Sequence, residues 1–381
     1  MVLKHLPFRA PLEKYHQLAV ELLAGQKSGD PKAIKIIHAN HPRFLDSKIV
    51  WLPRTLSGEE IRSAPFDIAD AQLSIARWHS FRNWVALAKY TLAVTTKGSP
   101  VHQFETAIEA VITGDLPSLR SLLSKHPDLV LARSTRITNH DPAKHRATLL
   151  HYIAANGIEG YRQKTPKNAV AIAKALLKAG ADPDALAGMY GCRCTTMSML
   201  GSSSHPAQAG VQVALVNTLC DYGASVEPLG SKRWGSPLMT ALASGFLNAA
   251  KALVRRGANV NDLAAAAGLG RLADAERLLK SASAKSRHLA LALSTQLGHA
   301  DTVKLLLDAG QNPNRYNPAG NHSHSTPLHQ AVCAGRMSVV RLLVARGARL
   351  KVKDKIYDGT PLDWAFHCGQ PAIEKYLAAL H

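Results

Sequence analysis

The sequence lacks the features that mark membrane-spanning and secreted proteins. None of its 381 residues belongs to an apolar run of about 18 or more, the length that a transmembrane helix needs. The N-terminal residues contain no continuous apolar segment of the kind that directs secretion. The five cysteines are an odd number without the spacing of a disulfide framework, which predicts free thiols in a reducing compartment. We therefore expect a cytoplasmic protein with no membrane contact.

The sequence is also short of motifs for catalysis. It contains no G-x-S-x-G elbow, no P-loop and no dinucleotide-binding fingerprint after a strand. The residues most similar to a zinc-ligand set are His322, His324, His329 and Cys333, but no C-x-x-C pair accompanies them. We expect no metal site, no cofactor and no catalytic constellation.

Acidic residues are scarce relative to basic ones. Lysine and arginine number 46 against 27 aspartates and glutamates, which gives a formal net charge of +19. The excess is spread along the chain without a long block of like charge. Such a basic background favours an acidic partner, nucleic acid included, but a basic patch would have to be assembled by folding.

One stretch, Thr326–Ala348, indicates two short helices joined by a turn. Thr326 is a candidate N-cap, and the proline that follows it suits the first helical position. Gly335 marks the turn and Gly347 the end of the second helix, because glycine adopts left-handed backbone conformations at little cost. Apolar residues recur at helical spacing in both helices. A helix pair this short needs neighbours of its own kind to bury both of its faces.

Such neighbours are present, with units that open at Thr148, Ser236 and Thr360. Their T-P-L-H-like openings and Gly-Ala endings, repeated at about 33 residues, resemble the ankyrin repeat family. The resemblance extends from about residue 104 to the C-terminus, and it implies an all-α solenoid of stacked helix–turn–helix units. It also implies structural roles for the residues that open and close the units: Thr148, His151, Gly180, Gly223, Ser236, Gly257, Gly310, Thr326, His329, Gly347 and Thr360.

The N-terminal quarter shows a helix pair in a fainter form. Gly29-Asp30 stands as far before a His-Pro pair as Gly114-Asp115 stands before another. Both segments indicate a helix, a turn with an aspartate N-cap and a second helix, and two unrelated hairpins are the alternative. The polar segment at residues 95–100 predicts a boundary between a helical N-terminal domain over residues 1–98 and an ankyrin repeat domain over residues 99–381.

Two units carry insertions, at residues 158–168 and 202–210, which we place on one side of the array. Insertions on one face of a repeat array often carry its binding function. Further candidates lie on the concave face of the first helices and on the finger loops between units, where aromatic and arginine side chains are typical interface anchors. The predicted partner-binding residues are Tyr152, Asn156, Tyr161, Arg162, Tyr190, Arg193, Ser202, His205, Lys232, Arg233, Trp234, Gln330, Lys353, Tyr357, Trp364 and His367.

These observations predict a non-catalytic scaffold that binds a protein partner and is itself a monomer. Two alternatives stay open. One is association with nucleic acid through a basic surface, which a steep loss of binding with salt would mark. The other is a small-molecule or enzymatic site under the two insertions, which a buried polar pocket would mark. The fold alone does not decide among them.

Overall fold

The computed structural model describes residues 3–155, 158–229 and 236–380. In this part of the chain, regular structure is helical apart from one two-stranded antiparallel sheet, so the predicted all-α fold is confirmed. None of the described helices is both long and apolar enough to cross a lipid bilayer.

The chain forms two compact units. The first contains the described residues up to Ala224, together with Leu229. The second contains Ser225–Pro228 and the described residues from Ser236 onward. The predicted boundary after residue 98 lies within the first unit, and a separate domain over residues 1–98 stays a prediction.

The first unit consists of helices and one short hairpin. Its described α-helices are α1 (Leu12–Ser28), α2 (Pro31–Asn40), α3 (Gly58–Ser63), α4 (Ile68–Trp78), α5 (Trp84–Thr95), α6 (Pro100–Thr113), α7 (Leu116–Lys125), α8 (Ala169–Lys178), α9 (Thr196–Ser202), α10 (Ser204–Gln208) and α11 (Gln212–Asp221). Short 3₁₀ helices cover Pro42–Phe44, Pro127–Val130, Leu149–Ala154 and Gly160–Arg162. Strands β1 (Ala187–Met189) and β2 (Cys192–Cys194) pair with Met189 opposite Cys192.

Helices α1, α2, α4 and α5 enclose the N-terminal core of the first unit. Tyr15, Leu22, Ile37, Ile75 and Phe81 are fully buried there. Removing side chains of this size from water contributes roughly 25 cal/mol per Å² of apolar surface. This apolar burial holds the N-terminal helices together.

Two helix pairs in the first unit share one local structure. Gly29 ends α1 with φ of 75°, and Gly114 ends α6 with φ of 79°. Asp30 and Asp115 then cap α2 and α7, because their carboxylates accept hydrogen bonds from backbone N–H groups three residues on. A 3₁₀ helix that begins at a proline comes after each second helix. The repetition predicted from sequence is present in the structure.

The repeat that opens at Thr148 departs from the regular helix–turn–helix unit. Its first helix, Leu149–Ala154, is a 3₁₀ helix, and Ala155 has a left-handed φ of 52°. Alanine rarely adopts that conformation. A residue with this φ cannot continue a helix, so the first helix ends at Ala154, before the first insertion. The second helix of the unit, α8, starts only at Ala169.

The second unit is built from consecutive helix pairs. Its described helices are α12 (Pro237–Ala243), α13 (Leu247–Arg255), α14 (Leu263–Gly268), α15 (Leu272–Leu279), α16 (Ala284–Leu297), α17 (Ala300–Asp308), α18 (Pro327–Cys333), α19 (Met337–Ala345), α20 (Pro361–His367) and α21 (Pro371–Ala378).

The helices of the second unit stack in two rows. The first helices α14, α16, α18 and α20 pack in order, as do the second helices α15, α17, α19 and α21. Leu263, Leu291, Val332, Leu343 and Leu377 are buried between them. Each helix thus buries its apolar face against the adjacent repeats, as a repeat array requires.

The structure corrects the prediction that all five cysteines are free. Cys333 at the end of α18 forms a disulfide with Cys368, just after α20, and their Cα atoms are 5.3 Å apart. Cys192, Cys194 and Cys220 take no part in this disulfide. The disulfide joins two neighbouring repeats, and it removes Cys333 from the zinc-like set noted in the sequence. Among the described residues, no three His, Cys, Asp or Glu side chains are grouped as a metal ion would require.

Candidate functional site

A threonine and a histidine are hydrogen-bonded at the start of two repeats. Thr326 Oγ1 and His329 Nδ1 are 2.8 Å apart, and Thr148 Oγ1 and His151 Nδ1 are 2.9 Å apart. In both repeats the same Nδ1 accepts the backbone N–H of the threonine. The proton therefore lies on Nε2, which donates to the carbonyl of Gly359 from His329 at 3.1 Å and to that of Cys194 from His151 at 3.3 Å.

Burial keeps these two histidines neutral. It lowers the pKa of His151 to about 4, although the hydrogen bond to the Cys194 carbonyl acts in the opposite direction. Burial also lowers the pKa of His329. Each neutral histidine ties the first helix of its repeat to the loop that precedes the next repeat.

Two successive loops of the second unit are joined side by side. We call them the paired fingers: residues 310–325, between α17 and α18, and residues 346–359, between α19 and α20. Asn314 Nδ2 donates to the Gly347 carbonyl at 2.9 Å, and Asn314 Oδ1 accepts from the Arg349 N–H at 2.7 Å. The Tyr316 hydroxyl donates to the Lys353 carbonyl at 2.6 Å.

A fourth hydrogen bond between the paired fingers runs from the Lys355 N–H to the His324 carbonyl at 2.8 Å. The ammonium group of Lys355 also lies 4.1 Å from the centroid of the Tyr316 ring, a cation–π arrangement. Because these contacts include backbone atoms on both loops, they hold the second finger against the first.

Asp354 organises the second finger from inside. Its carboxylate accepts the backbone N–H groups of Ile356, Tyr357 and Gly359 at 2.8–3.0 Å. It also accepts the indole N–H of Trp364 at 3.0 Å. Burial alone raises the pKa of Asp354, but the hydrogen bonds from these donors lower it below its ordinary value. The four hydrogen bonds replace those that the carboxylate would form with water, and so stabilise its ionised form in the buried site.

Trp364 fastens the second finger to helix α20. Besides the hydrogen bond to Asp354, its ring lies 5.1 Å from that of His329 and 5.8 Å from that of His324. The side chain is half-buried. The sequence suggested Trp364 as a partner-binding residue on the concave face, whereas the structure gives its polar group an internal partner.

The outer side of the paired fingers carries an exposed tyrosine and surplus positive charge. Tyr357 is 60% exposed, and Lys353 is paired with Asp358 at 2.6 Å. Asp354, the other acidic residue of the paired fingers, is buried, so the surface is basic. Within the paired fingers, all of whose residues the structure describes, four exposed basic residues have no carboxylate within ion-pair distance: Arg315, Arg349, Lys351 and Lys355.

A buried ionic cluster joins the insertion at residues 158–168 to Glu105 and Arg136. Arg162 Nη1 is 2.5 Å from Glu105 Oε2 and 3.1 Å from Glu159 Oε2. Arg136 Nε is 3.3 Å from Glu105 Oε1 and 3.6 Å from Glu159 Oε2. All four side chains are 4% exposed or less. Two arginines and two glutamates therefore balance each other inside the first unit, as buried charges require.

Tyrosine and histidine side chains extend the hydrogen bonding of the ionic cluster. Arg136 Nη2 donates to the Tyr90 hydroxyl at 2.7 Å, and the Tyr152 hydroxyl donates to Glu159 Oε1 at 2.8 Å. His145 Nε2 lies 3.3 Å from the same oxygen. Burial alone raises the pKa of Glu159, but Arg136, the hydrogen bond with His145 and Arg162 hold it far below its ordinary value. Packed ion pairs thus lie where the sequence suggested a pocket.

Three predicted partner-binding residues are buried, which removes them from the candidate surface. Tyr152 and Arg162 belong to the ionic cluster or its edge, and Gln330 donates to Ser325 Oγ at 2.9 Å. The helical spacing gave their positions in the repeat. It did not show that inserted and finger loops fold over them.

The hydrogen bonds and ring contacts of the two insertions involve different partners. Tyr161 stacks on His5 with the ring centroids 5.0 Å apart, and its hydroxyl accepts from Arg136 at 3.2 Å. Residues 204–208 form α10, in which His205 is half-buried, and Ser202 Oγ donates to the Met199 carbonyl. The prediction of one site under both insertions therefore has no support from these contacts.

The other predicted partner-binding residues fall into two groups. Those exposed at the surface are Tyr190, Arg193, Lys353, Tyr357 and His367. Those outside the described residues are Asn156, Lys232, Arg233 and Trp234.

Several important residues were missed by reasoning from sequence. Asp354 precedes a turn that ends at Gly359, and aspartates commonly accept hydrogen bonds from such turns, so this signal was available. Phe366 is 75% exposed on α20, where the helical pattern gave no reason to expect an outward aromatic residue. Arg136 and Glu105 had no local signal, because their pairing spans 31 residues.

Three comparisons show which known proteins the chain is similar to. A family model described as ankyrin repeats (3 copies) matches residues 263–354 and 288–381. The potassium channel GORK of Arabidopsis thaliana is 38% identical over 80 residues, which make up 21% of this chain and only 9% of that protein. The crystal structure of the human ASB11 ankyrin repeat domain aligns with 72% of this chain and 97% of that domain, at 22% identity and a TM-score of 0.37.

The stacked helix pairs, the Thr–His hydrogen bonds and the finger loops define a helical repeat protein. Together with the family match, they identify residues 263–381 as ankyrin repeats. The resemblance stated from the T-P-L-H motifs is confirmed.

Proposed function

We propose that this protein binds a protein partner through the paired fingers. Ankyrin repeats generally mediate protein–protein interaction. The observation that carries the proposal is the set of four hydrogen bonds that holds both fingers together beneath an exposed Tyr357. A surface that is ordered before binding loses less conformational entropy when the partner docks.

The chemistry of the paired fingers favours an acidic partner surface. Tyr357 offers a rigid, amphipathic ring, and tyrosine is among the residues enriched in interface hot spots. The unpaired cations around it attract negative charge and raise the rate of encounter, especially at low salt. We therefore propose a partner segment that places carboxylates around a pocket for an aromatic ring.

Affinity capture from native lysate with matched variants tests this proposal. The bait is the full chain, compared with Tyr357→Ala and with Lys355→Glu, and bound proteins are quantified by mass spectrometry. Lys251→Glu is the control, because it makes the same charge change on an exposed residue of α13, outside the paired fingers. We expect one set of proteins to be retained by the wild type and by Lys251→Glu and lost by both finger variants.

Repeating the capture at different salt concentrations and after nuclease treatment distinguishes a protein partner from nucleic acid. Retention of the protein set is expected to fall between low and high salt, because screening weakens exposed charges. Capture that disappears after nuclease treatment would assign the surface to nucleic acid. Equal capture by Tyr357→Ala, Lys355→Glu and the wild type would contradict the proposal.

A further inference from the structure

A cleft in the first unit carries arginines that the proposed protein-binding surface does not use. It lies between the loop at residues 42–54, the end of α4 and the loop at residues 138–143, and its volume is about 1330 Å³. Arg54, Arg77 and Arg82 line it, with Trp51 and Tyr190. Small-molecule sites typically occupy roughly 300–1,000 Å³, so the cleft has room for a sizeable ligand.

The three arginines have no acidic partner within ion-pair distance in the described part of the chain. Arg77 Nε donates to the Asn40 carbonyl at 2.7 Å, and Arg54 Nη1 lies 3.4 Å from the Arg43 carbonyl. Burial lowers the pKa of Arg77, although an arginine stays protonated at neutral pH. A half-buried cation without a counter-ion has lost part of its hydration. An anionic ligand can compensate for the lost contacts with water.

Other charged groups at the cleft leave it positive. Arg43 also lines it but is paired with Asp70 at 3.1 Å. Of the two aspartates in the lining, Asp46 accepts the backbone N–H groups of Lys48 and Ile49 at 2.7 Å, and Asp141 is exposed. Apart from the Arg43–Asp70 pair, three arginines therefore face two aspartates.

Aromatic rings lie beside the positive charge. Trp51 is 61% exposed, although a large apolar ring is usually buried. Tyr190 is also exposed, and its ring meets that of His140 edge-on at 6.3 Å. Exposed aromatic rings beside a basic groove are the arrangement on which nucleic-acid bases stack.

We propose that this cleft binds a nucleotide, with its phosphates against Arg54, Arg77 and Arg82 and its base on Trp51. The planar guanidinium group matches the oxygens of a phosphate through paired hydrogen bonds. The nucleotide is either free or part of a single-stranded nucleic acid, since both present the same phosphate and base. This binding is separate from the proposed protein interaction, whose residues lie in the second unit.

Isothermal titration of the full chain with ATP, pyrophosphate and a single-stranded oligonucleotide tests the proposal. We expect Arg54→Ala and Arg82→Ala each to weaken ATP binding by about tenfold, through loss of phosphate contacts. Trp51→Ala is expected to weaken ATP binding by about tenfold while leaving pyrophosphate binding unchanged, because only ATP offers a ring for stacking. Arg349→Ala removes the same charge from the second unit and is the matched control.

The ligand series separates the two sources of the nucleotide. Tighter binding of the oligonucleotide with the same variant pattern assigns the cleft to a nucleic-acid strand, and tighter binding of ATP assigns it to a free nucleotide. Because Arg54, Arg82 and Trp51 are exposed, thermal melts of the variants are expected to match the wild type. The proposal is overturned if neither ATP nor the oligonucleotide binds, or if both arginine variants bind as tightly as the wild type.

Discussion

The repeats that open at Thr148 and Thr326 begin with the same hydrogen bonds and enclose different interiors. In each, a histidine bonds to the threonine and reaches a backbone carbonyl beyond the repeat. That carbonyl lies 43 residues after His151 but only 30 residues after His329. The additional chain in the first unit includes the insertion at residues 158–168.

The two repeats diverge immediately after the shared motif. After Thr326 the chain forms an α-helix whose apolar face packs on its neighbours. After Thr148 it forms a 3₁₀ helix, and the insertion brings Glu159 and Arg162 onto Glu105 and Arg136. The Thr–His motif therefore determines how one repeat is joined to the next. The residues that follow the motif determine whether apolar side chains or ion pairs are buried there.

Of the substitutions considered, Arg136→Ala is expected to have the largest effect on the free energy of unfolding, because it removes one member of the ionic cluster. Removing one partner of a buried ionic cluster leaves uncompensated charge and typically costs about 3–5 kcal/mol. The variant leaves Glu105 and Glu159 with Arg162 as their remaining arginine partner. Urea unfolding followed by circular dichroism measures the loss, and Arg120→Ala, on the exposed side of α7, is expected to change stability by less than about 0.5 kcal/mol. Equal midpoints for the two variants would show that the cluster contributes little.

Acid is expected to weaken the Thr148 repeat through its buried histidine. The pKa of His151 is about 4 in the folded chain, against an ordinary value of 6.5. Between these values the unfolded chain binds more protons, so stability falls as the pH drops from 6.5 toward 4. At 1.36 kcal/mol per pKa unit the loss is roughly 3 kcal/mol. The check is to compare urea unfolding at pH 7 and pH 4 for the wild type and for His151→Asn.

The variant that cannot titrate at residue 151 is expected to lose less stability on acidification. Other groups titrate in the same range, but they are common to both proteins and cancel in the difference. Identical pH dependence would mean that His151 is protonated as readily when folded as when unfolded.

A smaller loss of stability is expected when only one of the two hydrogen bonds of His329, those to Thr326 and Gly359, is removed. The last repeat uses Asp363 in place of a histidine, and its carboxylate accepts from the N–H and hydroxyl of Thr360 at 2.8 and 2.7 Å. His329→Asn keeps an acceptor for Thr326 and loses the bond to Gly359, whereas His329→Ala loses both. We expect His329→Ala to cost about 1–3 kcal/mol and His329→Asn about 1 kcal/mol less. Thermal melts decide, and equal costs would place all the stabilisation in the bond to Gly359.

The regular part of the second unit could be predicted because its signals are local. An N-cap threonine, a proline, apolar spacing and a closing glycine lie within one helix pair, as in Thr326–Ala348. The same holds for the helix pairs at Gly29 and Gly114, where the aspartate caps were visible. The signals repeat, so each unit supported the interpretation of the next.

The ionic cluster and the cleft could not be predicted because their partners lie far apart in sequence. Arg162 reaches Glu105 across 57 residues, and the sequence offered it only as part of a polar insertion. Arg136 is fully buried although it lies in a loop, outside the helices and strands. A charged residue is expected at the protein surface. It can be buried only when folding places groups of opposite charge next to it.

The smallest expected effects in the second unit concern Trp364, on α20, and Tyr357, on the second finger. Trp364→Ala removes an indole donor from Asp354 and a ring from His329, so it is expected to cost about 1–2 kcal/mol. Tyr357→Ala alters an exposed ring and is expected to change stability by less than about 0.5 kcal/mol, while it abolishes partner capture. Melting curves and capture on both variants test this. If Tyr357→Ala destabilises the protein as much as Trp364→Ala, the tyrosine supports the finger itself, and the proposed surface loses its anchor.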